Sequence, residues 1–116
     1  MTTTMYGIPN CDTIKKAQKW LTDNNISFTF HDYRKEGIDL DLLTKLYQTS
    51  DWETLLNKRS TSYRALTEQQ KETLSADTIN ALFIASPTLI KRPVVIHQGK
   101  AIVGFKAQQY QTFFTE

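Results

Sequence analysis

Tyr6-Gly7-Ile8-Pro9-Asn10-Cys11-Asp12-Thr13-Ile14-Lys15-Lys16-Ala17 is the stretch whose reading decides the fold. Residues about 2–7 carry too little pattern to be read as a strand alone, but they run into a turn at Gly7-Ile8-Pro9-Asn10. Beyond the turn, Ile14, Ala17 and Leu21 recur at i, i+3 and i+7, the apolar stripe of an amphipathic helix. Asn24-Asn25 is expected to stop it, because asparagine tolerates the left-handed backbone that ends helices. Ile26, Phe28 and Phe30 then alternate with Ser27, Thr29 and His31 on the way to Tyr33, the period of a half-buried strand. The opening therefore reads strand–helix–strand.

Working outward, residues about 38–86 read as helical throughout. Asp39 is placed to cap a helix carrying Leu43, Leu46 and Tyr47. Ser50 with Glu53 is read as a capping box before Trp52, Leu55 and Leu56, and Thr67 with Gln70 as another. A fourth helix carries Ile79, Leu82 and Phe83 and stops at Ser86-Pro87. The last third is β-rich: Pro93-Val94-Val95-Ile96 and Ala101-Ile102-Val103 are joined by His97-Gln98-Gly99-Lys100, a hairpin signal. A closing helix presents Tyr110, Phe113 and Phe114. A βαβ half and a ββα half around one mixed sheet is an α/β, thioredoxin-like layout. The expectation is a single domain over residues 1–116 with an all-helical insert at about 38–86.

The chain has 116 residues, room for one compact core. Its 14 Lys and Arg against 12 Asp and Glu leave a net charge of +2. So small an excess supplies no field for gripping nucleic acid or an anionic membrane. No stretch approaches the roughly 20 apolar residues that span a bilayer, and the opening residues lack a secretory pattern. With a free thiol, these features make the cytoplasm the expected compartment. There is one cysteine, Cys11, so an internal disulfide, a CxxC pair and a multi-cysteine metal site are excluded within this sequence. Any sulfur chemistry needs a second sulfur from another molecule.

A lone cysteine is most often a small buried hydrophobe. Cys11, however, falls where the first helix begins. The first helical N–H groups have no intrahelical partners, and the macrodipole adds partial positive charge there. A thiolate at that point gains hydrogen bonds and attraction. Lys15 and Lys16 add to the positive field and Asp12 opposes it. The second candidate is Lys91-Arg92-Pro93-Val94-Val95. Its proline opens the third strand and would face the start of the first helix. A cis Arg92–Pro93 bond would free the Arg92 backbone to pair with a bound thiol peptide and its side chain to grip an anion bidentately. The third is the basic run Lys58, Arg59 and Arg64, read either as a solvated turn or as a recognition element for glutathione carboxylates. His31 and His97 lack ligand spacing and are read as structural or exposed. Trp20, Tyr47 and Trp52 fit helix stripes.

The opening stretch, with His31-Asp32-Tyr33-Arg34-Lys35, Leu55-Leu56-Asn57-Lys58-Arg59 and Leu89-Ile90-Lys91-Arg92-Pro93, resembles the ArsC family of arsenate-reductase-related proteins, most nearly its YffB branch and more distantly its Spx branch. The resemblance implies a thioredoxin-like fold with a helical insert, Cys11 as nucleophile, and glutathione and glutaredoxin as external reductants. It makes Asn10, Lys15, Arg59, Arg92 and Pro93 the expected substrate or glutathione site, with no metal. In the family's glutathione-dependent arsenate reductases a serine follows the cysteine by three positions, where this chain has Ile14. Lys15 keeps the basic residue after it. Of the three arginines that hold arsenate there, one matches Arg92. The second falls on Asn57, with Arg59 two residues away, and the third near Gly104, with Lys106 close. Each charge-assisted hydrogen bond contributes about 1.5–3 kcal/mol, so losing two of three forks argues against efficient arsenate reduction. Ile14 also removes the CxxC switch of the Spx branch, which binds RNA polymerase. The reading is thus a glutathione-dependent thiol–disulfide reductase. Its alternatives are a regulatory, polymerase-binding module and, more weakly, an arsenate reductase.

Overall fold

The computed structural model describes residues 3–9 and 11–115. From the N-terminal side, β1 (Thr3–Gly7), α1 (Asp12–Asp23) and β2 (Thr29–Asp32) precede helices α2 (Leu40–Tyr47), α3 (Trp52–Leu55), α4 (Thr61–Arg64), α5 (Glu68–Glu72) and α6 (Ile79–Ala85). A 3-10 turn (Pro87–Leu89) then leads to β3 (Val94–His97), β4 (Lys100–Val103) and α7 (Ala107–Thr115). The chain divides into two compact units, residues 1–37 with 92–116 and residues 38–91. Among the described residues, no helix is long and apolar enough to cross a membrane.

In the first unit the strands form one mixed sheet in the order β2-β1-β3-β4. β1 is parallel to β2 and antiparallel to β3, and β3 is antiparallel to β4. With α1 and α7, this is the thioredoxin-like fold expected from the strand and helix order. Ile14, Ala17 and Leu21 are fully buried against Met5, Val95 and Tyr110, so the i, i+3, i+7 stripe is the face that docks α1 on the sheet. Each large aliphatic side chain buried this way contributes about 1.5–3 kcal/mol. α1 ends as its asparagines foretell. Asn25 has φ 59, and the Asn25 and Ile26 N–H groups donate to Thr22 O and Leu21 O at 3.1 and 2.9 Å, a Schellman closure.

β2 is shorter than the alternation suggested. The ladder with β1 begins at Thr4↔Thr29, and Ile26 is tied back to the end of α1, so Ile26 and Phe28 pack on the core without pairing. The β3–β4 hairpin closes through Gln98 and Gly99, both at positive φ (53 and 76), the two-residue turn whose twist suits the strands.

The second unit buries Leu43, Leu46, Leu55, Leu56, Ile79, Phe83, Leu89 and Ile90. Its first four helices start on side-chain caps, whereas α6 has none. Asp39 accepts from Leu42 N–H at 2.9 Å, and Thr67 and Gln70 form the reciprocal box that was expected. At α3 the cap is Asp51, accepting from Thr54 N–H at 2.7 Å, rather than Ser50 one residue earlier. Helix α4, unanticipated, starts on Ser60, whose Oγ accepts from Tyr63 N–H at 3.0 Å.

Two contacts in the first unit generate tests. A Cβ on Gly7 would overlap Ile14 Cδ1, so a side chain there would make the buried Ile14 side chain turn within the core. Gly7→Ala should therefore cost about 1–3 kcal/mol, read as a lower urea midpoint at unchanged slope. Tyr33 and Tyr110 are both buried, and burial raises both phenols above their usual range, with Tyr6 adding to the effect at Tyr33. They differ in partners. Tyr110 donates to Gly104 O at 2.7 Å, whereas the Tyr33 hydroxyl has no partner among the described residues. Tyr110→Phe should lose about 0.5–1.5 kcal/mol in the same denaturation experiment, while Tyr33→Phe should be neutral or stabilising. Equal losses at both positions would contradict this assignment.

Candidate functional site

The first unit assembles a thiol site from chain topology. Gly7 ends β1, Cys11 caps α1 four residues later, and the Tyr6↔Val94 pairing sets the exit of β1 beside the entrance of β3. Arg92 and Pro93 immediately precede that entrance. Cys11, Lys15, Arg92 and Pro93 thus belong to the same end of the sheet.

Cys11 has extended backbone (φ −137, ψ 126); its N–H donates to Pro9 O at 3.0 Å and its carbonyl accepts from Lys15 N–H at 3.0 Å. That second bond is the first turn of α1. The Cys11 side chain makes no capping bond, whereas Asp39, Asp51, Ser60 and Thr67 cap α2, α3, α4 and α5; Thr78 at the start of α6 makes none either. The opening N–H groups of α1 therefore gain no bond from their own cap residue. Cys11 is half-buried against the Met5, Ile14 and Val95 cluster. The residue is thus packed on the core on one side and partly exposed.

Lys15 is exposed on the first turn of α1. Arg92 is half-buried, Pro93 is buried, and the peptide bond between them is cis. Pro93 O accepts from Gly104 N–H at 2.8 Å, which fastens the entrance of β3 to the end of β4. Gly104 has φ +82, and its carbonyl takes the Tyr110 hydroxyl. This position is built for glycine, in a place where the arsenate-binding pattern expects an arginine nearby. Asn10 lies outside the described residues. Arg59 belongs to the second unit, exposed in the turn between α3 and α4, where its N–H donates to Asn57 Oδ1 at 3.0 Å. Asn57, at the other expected arginine position, gives its own N–H to Leu89 O at 2.7 Å.

The histidines have local bonds: His31 Nε2 lies 2.9 Å from Gly37 O, and His97 Nδ1 lies 2.6 Å from Thr3 Oγ1. Among the described residues, no group of three or more His, Cys, Asp or Glu side chains could hold a metal ion. Sequence reasoning gave Tyr33 a place in the strand run and in a family-like stretch, but no role. Its N–H donates to Gly7 O at 2.9 Å, so it braces the exit of β1 from the β2 side. The signal was present in its place directly after the apolar alternation, but an aromatic there reads as ordinary core.

Comparison with known proteins agrees with this geometry. The ArsC family profile matches residues 6–113. An uncharacterized protein of Haemophilus influenzae is 50% identical over 111 residues, spanning 96% of this chain and 97% of that one. The global transcriptional regulator Spx 1 of Oceanobacillus iheyensis is 25% identical over 112 residues, covering 95% and 85%. Among solved structures, a YffB protein superimposes with TM-score 0.87 at 40% identity, covering 96% of this chain and 97% of its own. An arsenate reductase (ArsC) related protein from Brucella melitensis gives TM-score 0.80 at 46% identity, covering 100% and 97%. With its thioredoxin-like sheet and a family match running from Tyr6 to Phe113, the chain belongs to the ArsC family.

Proposed function

We propose that the chain is a glutathione-dependent thiol–disulfide reductase whose nucleophile is Cys11. The observation that carries this reading is the setting of the chain's one sulfur. It stands at the side-chain-uncapped start of α1, half-buried, at the end of the sheet where β3 enters after Arg92–Pro93. In the reaction, the Cys11 thiolate attacks one sulfur of a substrate disulfide. A mixed disulfide forms and the other substrate sulfur leaves as a thiolate. A glutathione thiolate then attacks the Cys11 sulfur of the mixed disulfide, so the second substrate sulfur leaves as a thiolate and Cys11 carries glutathione. A second glutathione thiolate, or glutaredoxin, attacks that glutathione sulfur, giving a disulfide of the reductant and regenerating the Cys11 thiolate. Glutathione, or glutaredoxin acting with it, is the electron source. An external thiol is required because the chain contains no second cysteine.

The α1 N-terminus and Lys15 bring open backbone N–H groups and a positive charge to the end of the sheet that holds Cys11. Arg92 supplies a planar fork for a glutathione carboxylate. Asn10 and Pro93 complete the proposed glutathione-binding set in the first unit. The cytoplasm, where glutathione is abundant and thiols stay reduced, is the compartment this chemistry suits. Arsenate is a poor fit. Asn57 and Gly104 stand where the family's oxyanion clamp has arginines, and Gly104 sits in backbone that disfavours any side chain.

The likeness to Spx 1 favours one other reading: a transcription-regulatory module that binds RNA polymerase, with Cys11 at most a sensor. The fully buried Ile14 stands where that branch's switch has its second cysteine, so no internal disulfide switch operates.

Exposure to oxidised glutathione should add one glutathione to the intact mass of the wild type and none to Cys11→Ser. Arg92→Ala should slow adduct formation by about tenfold, the loss of one charge-assisted contact. A wild type that acquires no adduct defeats the enzyme reading. Partner binding that persists unchanged in Cys11→Ser, with no adduct in the wild type, selects the regulatory one. A glutaredoxin-coupled assay should show no arsenate-dependent NADPH oxidation, even at arsenate on the order of millimolar, within the usual range of KM values.

A further inference from the structure

The second unit encloses a cavity of about 230 Å³ that the thiol chemistry does not use. Its floor is buried Leu56 with half-buried Leu74, and Trp52 of α3 and Tyr63 of α4 supply aromatic walls. Lys58, from the turn after α3, and Lys71, from α5, also line it, and Lys71 Nζ lies 5.3 Å from the Tyr63 ring centroid. Glu53 also faces the cavity. The one ion pair among the described residues is Lys19–Asp23, so neither lysine is neutralised by Glu53 or by another carboxylate of its unit. Two positive charges against one negative leave an excess of one.

Three short helices hold this arrangement, each begun by its own side-chain cap: Asp51, Ser60 and Thr67. Caps of this kind are worth about 1 kcal/mol each and fix the helix starts, so the lining is set before anything binds. The cavity is smaller than the roughly 300–1,000 Å³ of drug-sized sites, which limits an occupant to a ring or two. Aromatic walls suit a flat apolar body. An unpaired ammonium already lodged beside an aromatic ring gains a strong hydrogen bond from an anion at little further desolvation cost.

We infer that this cavity is a binding site for a small aromatic carboxylate, its ring between Leu56, Trp52 and Tyr63 and its carboxylate on Lys58 and Lys71. The single negative charge matches the single excess positive charge of the lining. The inference does not depend on the Cys11 chemistry.

The test is an amide and indole NMR titration of the full chain with 2-naphthoate. Shifts should saturate at the Trp52 indole N–H and at the Tyr63 and Lys71 amides, with a dissociation constant on the order of 1 mM or tighter. The uncharged 2-naphthalenemethanol should bind at least about tenfold more weakly, and so should 2-naphthoate to the Lys58→Gln/Lys71→Gln double variant. Lysine-to-arginine changes at both positions should keep affinity within about threefold, because the charge is retained. Saturation absent at about 10 mM, equal affinity for acid and alcohol, or undiminished binding by a folded double glutamine variant would each overturn the inference. Shifts centred on the separate groove lined by Ile102, Lys106 and Phe113 would overturn it too.

Discussion

Ile14 occupies the space in which any side chain on residue 7 would have to stand. Ile14 is sealed among Met5, Ala17 and Val95, and Cys11 stands three residues before it. The backbone at Cys11 is tied to that same helix by its first hydrogen bond, from Lys15 N–H to Cys11 O, and the residue packs on the same core cluster.

The same economy runs through β3. Its entrance is held from two sides, by pairing with β1 and by the bond from Gly104 N–H to Pro93 O. Gly104 in turn receives the Tyr110 hydroxyl, and Tyr110 packs edge-on against Trp20 of α1 at 5.6 Å and against Phe105 at 4.8 Å. A chain of contacts thus links the backbone beside Arg92 to the helix that carries Cys11. Every member of that chain is a buried or half-buried aromatic or a main-chain group, and none is a surface ion pair, whose worth is small and salt-dependent.

Much of this was legible from residues alone. The Ile14, Ala17 and Leu21 stripe, the Asn24-Asn25 stop and the Gln98-Gly99 turn are local rules, each decided within a few positions of chain, and each is realised. What escaped is what depends on distant partners. Ile26 and Phe28 alternate as strand residues should, yet β1 offers them no rungs, and β1's starting point is invisible from residue 26. Ser50 and Asp51 are both competent caps, and their neighbours in sequence do not separate them. Ser60 begins a helix too short to show a period. In the site, position 11 was readable because helix starts have a local signature. Tyr33 was not, because a buried phenol without a partner is a fact about its surroundings.

One feature of the sheet bears on how the molecule is made. β1 is an interior strand, yet one of its neighbours, β3, is encoded nearly the whole chain length away, with Met5 paired to Val95. During synthesis, β1, α1 and β2 emerge early with one edge of β1 bare and Ile14, Leu21 and Met5 without the cover of Val95 and Tyr110. The contiguous residues 38–91 arrive in between and contain their own apolar cluster. Long-range closure of this kind is slow relative to local pairing. The nascent chain therefore holds its one thiol beside an unfinished core for most of translation, and the reducing state of its surroundings at that stage bears on whether it reaches the native sheet unmodified.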